Sequence, residues 1–259
     1  MSILVADPAR EYLTLQRTSK LSPELFRDKT SQGRTRLRLK SKPISIPIGI
    51  HASSNGRLIV HMPGSMETVD GYCNKYRTLA DFIQANDLAA VVRMDNEERD
   101  YHSYEHTLID DLRFVVEYSL RNSAKICGAD NPELWLMGFS GGTEAIGTIA
   151  HEFPASKILL MGPGIASEVF YNLKRGLESF RGELYLVQGQ NDRNRFVGQL
   201  FYDWATNVTK KEMKIIPDCD HHFRHEANDK IYSRAPFWAF AGDNTFPDPT
   251  RGIRLVQKT

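Results

Sequence analysis

The chain has 259 residues, and its 33 lysines and arginines almost balance 32 aspartates and glutamates. Hydrophobic residues make up 41% and charged residues 25%, which is near the globular average and disfavours extended disorder, collagen and coiled coils. A net charge of +1 gives no overall field for nucleic acid or an acidic membrane, so neither partner is expected. Three cysteines without a CxxC pair, and no signal-peptide core or membrane-spanning apolar run, predict a cytoplasmic protein with free thiols.

The first predicted elements are strands. Basic residues alternate with other residues over 34–42, and isoleucines alternate over 44–50, so each segment has the period of two that is typical of a strand. A third short strand covers 58–60. Asn55 and Gly56 lie between the second and third strands, and local rules would make this pair a tight hairpin turn.

From residue 78 onward, helical and strand patterns alternate. Predicted helices cover residues 78–85, 104–122, 143–151, 166–179 and 196–208, and predicted strands cover 88–92, 134–137, 157–161, 184–187 and 213–216. This alternation favours an α/β fold with a mostly parallel sheet that is covered by helices on both faces.

A glycine-rich segment follows the strand at 134–137 directly. Residues 138–142 read Gly-Phe-Ser-Gly-Gly, which matches G-x-S-x-G, and a predicted helix begins immediately afterwards. That context is typical of a nucleophile elbow, in which a strained bend projects the Ser140 Oγ from the sheet and the Gly141 N–H faces a developing oxyanion. The alternative is a glycine-rich turn with Ser140 as a helix cap.

Ser140 in this setting resembles the nucleophile of the α/β-hydrolase family, and the resemblance covers roughly residues 34–241. It implies an eight-stranded, mostly parallel sheet, with an acid and then a histidine following the serine in chain order. It also implies that the second strand is antiparallel and does not pair with the third, so Asn55-Gly56 is expected as a turn between strands that are not neighbours. The expected parts are an N-terminal extension over 1–33 packed on the core, an α/β-hydrolase domain over 34–242, and a C-terminal arm over 243–259.

Asp192 is the candidate acid. It follows the strand at 184–187, where the family places a carboxylate that accepts the imidazole N–H and stabilises the imidazolium. Two alternatives stay open. Asp192 could instead cap the following helix, and Asp95, after the strand at 88–92, could be the acid.

His221 is the candidate base. Residues 218–223 read Asp-Cys-Asp-His-His-Phe, and the family's histidine loop often reads Asp-His-x-Phe, which selects His221 over His222. Histidine is the side chain that titrates near neutral pH without perturbation. His222 and a surface cluster of polar residues remain alternatives. His221 and His225 also permit a metal site, but H-E-x-x-H, a P-loop and a strand-linked GxGxxG are all missing, so no metal or other cofactor is expected.

The oxyanion loop departs from the family pattern. Residues 61–66 read His-Met-Pro-Gly-Ser-Met, so Met62 replaces the usual glycine and Pro63 has no N–H to donate. The second oxyanion donor must therefore be Met62, Gly64 or Ser65, or be lost. Losing one donor typically costs ~2.7–4 kcal/mol of transition-state stabilisation.

The substrate pocket is expected to be open. Residues 162–183 separate two predicted strands and leave room for one helix but no large lid. The expected pocket walls are Met62, Met66, residues 96–103, Phe139, Ile165 and Phe170.

Together these residues predict a serine hydrolase that cleaves a small carboxylic ester or thioester. Ser140 would attack the carbonyl, His221 would transfer the proton, Asp192 would orient His221, and an acyl-enzyme would then react with water. Two alternatives remain. One is an acyltransferase or cyclase with the same triad, and the other is a non-catalytic hydrolase-like binding protein, for which Pro63 is the sole support.

Overall fold

The computed structural model describes residues 10–18, 28–29, 35–36, 43–96, 104–165 and 170–256. An eight-stranded sheet lies at its centre. Its strands are β1 (Arg10–Thr18), β2 (Pro43–His51), β3 (Arg57–Met62), β4 (Ala90–Met94), β5 (Glu133–Phe139), β6 (Ala155–Met161), β7 (Glu183–Gly189) and β8 (Lys210–Ile216). The described α-helices are α1 (Lys75–Ala85), α2 (Tyr104–Arg121), α3 (Ser123–Cys127), α4 (Gly141–Ile149), α5 (Phe170–Ser179), α6 (Arg195–Trp204) and α7 (Glu226–Ala241).

The strand order is β1-β2-β4-β3-β5-β6-β7-β8. β2 runs antiparallel to β1 and β4, and all pairings from β4 through β8 are parallel. This confirms the predicted eight-stranded, mostly parallel sheet. Because β4 lies between β2 and β3, Asn55 and Gly56 form a turn between strands that are not neighbours. The local hairpin rule therefore fails at this turn.

Helices cover both faces of the sheet and produce two hydrophobic clusters. Successive residues of a strand point to opposite faces, so Leu134 and Leu136 of β5 lie in one cluster and Trp135 and Met137 lie in the other. The first cluster includes buried residues of α2 to α6, and the second includes buried residues of α1 and α7.

The first strand of the sheet lies where the sequence predicted an extension. β1 falls within residues 1–33 and pairs with β2, and Leu15 of β1 is buried. Leu13 and Leu15 alone carry the period of two in a strand otherwise rich in polar residues, so its pattern is weak. The sheet thus begins ahead of residue 34, where the hydrolase domain was predicted to start.

The strand predicted over 34–42 is only partly described. Residues 35–36 pair antiparallel with residues 28–29 in a separate two-stranded ladder, and not with the eight-stranded sheet. Residues 37–42 lie outside the described residues.

Helix α7 was not predicted. Its buried residues extend around most of the helix, and Pro236 lies inside it, so neither an amphipathic pattern nor local propensity indicates a helix. The C-terminal arm packs against α7, where Asp229 Oδ2 accepts hydrogen bonds from the N–H groups of Leu255 (2.7 Å) and Val256 (3.0 Å). None of the described helices is both long and apolar enough to cross a membrane.

Candidate active site

Ser140 lies in a sharp bend between β5 and α4. Its backbone has φ 50° and ψ −123°, a left-handed conformation that is strained for a residue with a side chain. Three hydrogen bonds hold the bend: the Ser140 N–H donates to Met161 O (3.0 Å), and Ser140 O accepts from the Thr143 N–H (3.0 Å) and hydroxyl (2.6 Å). The bend places Ser140 at the carboxyl end of the central strand.

The glycines two residues before and after Ser140 are required by close backbone approach. A β-carbon at Gly138 would lie 2.8 Å from Gly142 O. A β-carbon at Gly142 would lie 2.5 Å from Pro63 O and would overlap Met62 O. Any side chain at these positions would therefore push α4 away from β5 or from the loop after β3.

His221 bridges Ser140 and Asp192. Its Nε2 lies 2.8 Å from Ser140 Oγ, and its Nδ1 lies 2.7 Å from Asp192 Oδ2. The carboxylate can only accept, so Nδ1 carries a proton and Nε2 of the neutral ring accepts from the Ser140 hydroxyl. The Asp192 side chain is 1% exposed and the His221 side chain 21% exposed, so Asp192 is buried and His221 is partly open to solvent.

The structure also shows where the alternative candidates for the acid and the base lie. Asp192 does stabilise the turn before α6, since its Oδ1 accepts from the Asn194 N–H at 2.8 Å, but Asn194 and not Asp192 is the N-cap residue. Asp95 follows β4, which β3, β5 and β6 separate from β7. The His222 ring lies across the His221 ring, with 5.2 Å between centroids, and burial lowers the pKa of His222.

A buried lysine packs against the histidine loop, residues 218–223. Lys75 is the first residue of α1, and its Nζ lies 3.9 Å from the Tyr232 ring centroid and 4.9 Å from that of Phe139. The same ammonium donates to the backbone oxygen of His222 at 3.3 Å. Burial lowers the pKa of Lys75 from 10.5 to about 8, although nearby acidic groups oppose the shift. The Phe139 ring in turn packs against His221, with 5.5 Å between centroids.

The loop after β3 is held by Glu67. Its Oε2 accepts from the Gly64 N–H at 2.8 Å and from the Tyr76 hydroxyl. Asn96 fastens the other side of the loop, because its side-chain amide donates to Pro63 O (3.2 Å) and its backbone N–H donates to Glu67 O (2.8 Å). The Gly64 N–H is therefore occupied and is not available to an oxyanion.

Ser65 is one of the three residues predicted to offer a second oxyanion N–H. It is exposed, and within the part of the chain that the structure describes its N–H makes no hydrogen bond. A β-carbon at Gly141 would lie 3.5 Å from Ser65 N and would overlap Ser65 Oγ, so Ser65 lies beside the first N–H of α4. Met62, by contrast, is the last residue of β3 and is paired with Gly138 in the sheet.

Two of the predicted pocket walls have side chains that are buried in the core. Met62 is fully buried in the first hydrophobic cluster, and Phe139 is 2% exposed and supports His221 from below, because alternation along the strands turns both side chains into the core. Met66 is 69% exposed and Ile165 packs against the core. Residues 97–103 and the Phe170 side chain lie outside the described residues.

Sequence reasoning missed three polar residues around these groups: Lys75, Glu67 and Gln188. Gln188 is fully buried on β7, and its Nε2 donates to Asp192 Oδ2 at 2.6 Å. Each lies in an ordinary helix, loop or strand pattern, so no motif marks it. A metal centre is not formed by any group of His, Cys, Asp and Glu side chains among the described residues.

Comparisons with known proteins find similarity at the level of structure. No family model matches the sequence, and no curated protein sequence matches it significantly. A solved dienelactone hydrolase from Anabaena variabilis has a TM-score of 0.61 and 14% identity, and the match covers 86% of this chain and 96% of that chain. Est1E from Butyrivibrio proteoclasticus has a TM-score of 0.57 and 11% identity, with 74% of this chain and 92% of that chain covered.

An esterase from Pyrobaculum calidifontis is also similar, with a TM-score of 0.55 and 13% identity; the match covers 85% of this chain and 79% of that chain. These similarities agree with the strand order and the helices on both faces of the sheet. The chain has the α/β-hydrolase fold.

Proposed function

We propose that this protein is a serine hydrolase that cleaves a carboxylic ester or thioester of a small acyl substrate. The observation that carries the proposal is the continuous hydrogen-bonded series from Ser140 Oγ through His221 to the buried Asp192, at 2.8 and 2.7 Å. A strained elbow holds the serine end of this series, which is how such folds expose a nucleophile. The esterases and the dienelactone hydrolase among the similar structures support ester chemistry.

The reaction proceeds in two halves. Ser140 Oγ attacks the acyl carbonyl carbon while its proton moves to His221 Nε2, and the ionised Asp192 stabilises the resulting imidazolium. The tetrahedral intermediate collapses as the bond to the leaving oxygen or sulfur breaks, and His221 returns the proton to the leaving group. Water then repeats the sequence on the acyl-enzyme and releases the carboxylic acid.

Two backbone N–H groups would hold the carbonyl oxygen as it becomes negative. The first is that of Gly141 at the N-terminus of α4, where the helix dipole also favours negative charge. The second is that of Ser65, which the loop held by Glu67 brings beside Gly141. Pro63 does not abolish the oxyanion hole in this arrangement, since the donor lies two residues further along the loop.

A fluorophosphonate probe tests the nucleophile directly. We expect one covalent adduct on the wild-type protein by intact mass and none on Ser140→Ala or His221→Ala. Ser54→Ala, which alters an exposed serine far from the elbow in the sequence, is the matched control and should label like wild type. If the wild-type protein is labelled, its activity on a panel of short-chain esters and thioesters is measured next. Product analysis then distinguishes transfer of the acyl group to water from transfer to another acceptor. A folded wild-type protein that reacts with neither this probe nor a smaller organophosphate would refute the proposal.

A further inference from the structure

Gln188 contacts the same carboxylate oxygen that contacts the base. Its Nε2 lies 2.6 Å from Asp192 Oδ2, and His221 Nδ1 lies 2.7 Å from that oxygen. The other carboxylate oxygen, Oδ1, accepts from the Asn194 N–H at 2.8 Å. Donors on both oxygens leave the Asp192 carboxylate with little freedom to rotate.

The opposite end of the Gln188 amide is unsatisfied. Its Oε1 is buried and makes no hydrogen bond to any residue that the structure describes. It faces Gly198 in α6, where a β-carbon would lie only 2.9 Å from Oε1. An unpartnered buried carbonyl and a glycine inside a helix both destabilise a fold, so packing alone does not account for a glutamine here.

The orientation of the amide follows from charge. If the amide were reversed, Oε1 would face the carboxylate oxygen of Asp192, and two acceptors would lie in contact without a proton between them. The orientation with Nε2 toward Asp192 is therefore required, although it leaves Oε1 without a partner. The favourable contact of Gln188 is its hydrogen bond to the acid of the proposed triad.

We propose that Gln188 is a positioning residue that holds Asp192 Oδ2 in line with His221 Nδ1, and so directs His221 Nε2 at Ser140. This inference rests on the proposed hydrolase function for its kinetic consequence, but the positioning itself does not depend on turnover. With one donor removed, the carboxylate can rotate about its bond to the β-carbon and the imidazole follows it.

Other titratable groups around Asp192 and His221 are the same in every variant compared below. On the histidine loop they are the Cys219 thiol, Asp220 and His222, and from α1 the ammonium of Lys75 faces the same loop. A pH dependence of the relative kcat/KM that appears only when Gln188 is substituted therefore arises from the introduced side chain.

Two substitutions distinguish positioning from packing. Gln188→Leu keeps a similar volume and removes both the donor and the unpartnered Oε1, so the protein should stay folded while kcat falls about tenfold or more with little change in KM. Gln188→Glu can donate the same hydrogen bond while the introduced carboxyl group is protonated. Its kcat/KM relative to wild type should therefore be highest at low pH and fall as the pH rises and two carboxylates come into contact.

Gln190→Glu is the matched control, because it introduces the same charge at an exposed glutamine two residues along the chain. Its kcat/KM relative to wild type should not vary with pH. The downfield proton NMR signal of His221 Nδ1–H, identified by its loss in His221→Ala, gives a readout without substrate. We expect that signal to move in Gln188→Leu and to stay unchanged in Gln190→Glu.

Wild-type kcat and an unmoved Nδ1–H signal in Gln188→Leu would overturn the positioning role, as would a relative activity of Gln188→Glu that does not vary with pH. If the wild-type protein hydrolyses neither an ester nor a thioester, the proposed function fails. The NMR comparison then decides about Gln188 by itself, since a moved signal supports the positioning and an unmoved signal contradicts it.

Discussion

Replacing Lys75 with methionine should stabilise the protein at neutral pH. Burial holds the pKa of Lys75 at about 8, against 10.5 for an exposed lysine. At 1.36 kcal/mol per pH unit this difference corresponds to about 3 kcal/mol by which the charged ammonium disfavours the folded state. Lys75 also begins α1, and a cation at a helix N-terminus opposes the helix dipole. Methionine fills the space between the Phe139 and Tyr232 rings without a charge.

The stability advantage of Lys75→Met should disappear with rising pH in a defined window. Below pH 8 both the folded and the unfolded protein carry the Lys75 proton, so the full destabilisation is present. Between pH 8 and 10.5 the folded state loses that proton before the unfolded state does. The free energy of unfolding of the wild-type protein therefore rises toward that of the variant. Above pH 10.5 the advantage of Lys75→Met should be gone.

Urea denaturation of wild type and Lys75→Met at pH 7 and pH 10.5 measures this difference in the free energy of unfolding. Lys125→Met is the control, because the Lys125 side chain is 73% exposed and should show no such gain at neutral pH. A stability difference that is the same at both pH values would show that the Lys75 charge is not the cause. The prediction is also wrong if Lys75→Met is less stable than wild type at pH 7. In that event the hydrogen bond to His222 O and the contacts with the two rings outweigh the loss of hydration.

Two further predictions concern the loop after β3. Ser65→Pro removes the proposed oxyanion N–H and should lower kcat by ~10²–10³-fold, whereas Ser65→Ala keeps that N–H and should stay near wild type; equal kcat values for the two variants would exclude Ser65 N as a donor. Gly142→Ala places a β-carbon 2.5 Å from Pro63 O and should lower the free energy of unfolding by about 1–3 kcal/mol. Gly164→Ala is the control in thermal or urea denaturation, because the nearest atom to its β-carbon would lie 3.6 Å away. A similar loss of unfolding free energy in both variants would show that the close backbone approach is not the cause.

The candidate site could be predicted from the sequence where local chemistry and chain order both restrict which residue fits a position. Ser140 was selected by an elbow motif, and Asp192 and His221 were selected by their resemblance to the acid position and the histidine loop of the α/β-hydrolase family. The structure brings the three side chains within hydrogen-bond distance. Their catalytic roles remain a proposal. Gln188 and Glu67 were not accessible. Their partners lie only three to nine residues away, but no periodicity or motif marks these side-chain hydrogen bonds.

Features that depend on neighbours along the chain were predictable from the amino-acid sequence. Periodicity located β2 to β8 and the helices α1, α2, α4, α5 and α6 to within a few residues, but it did not predict the short helix α3; the glycines around Ser140 required a tight bend. The place of β1, the helix α7 and the burial of Lys75 against the histidine loop depend on tertiary packing. An edge strand, a helix buried on most sides and a buried ammonium each depend on contacts between remote residues, and such contacts leave no period or motif in the sequence.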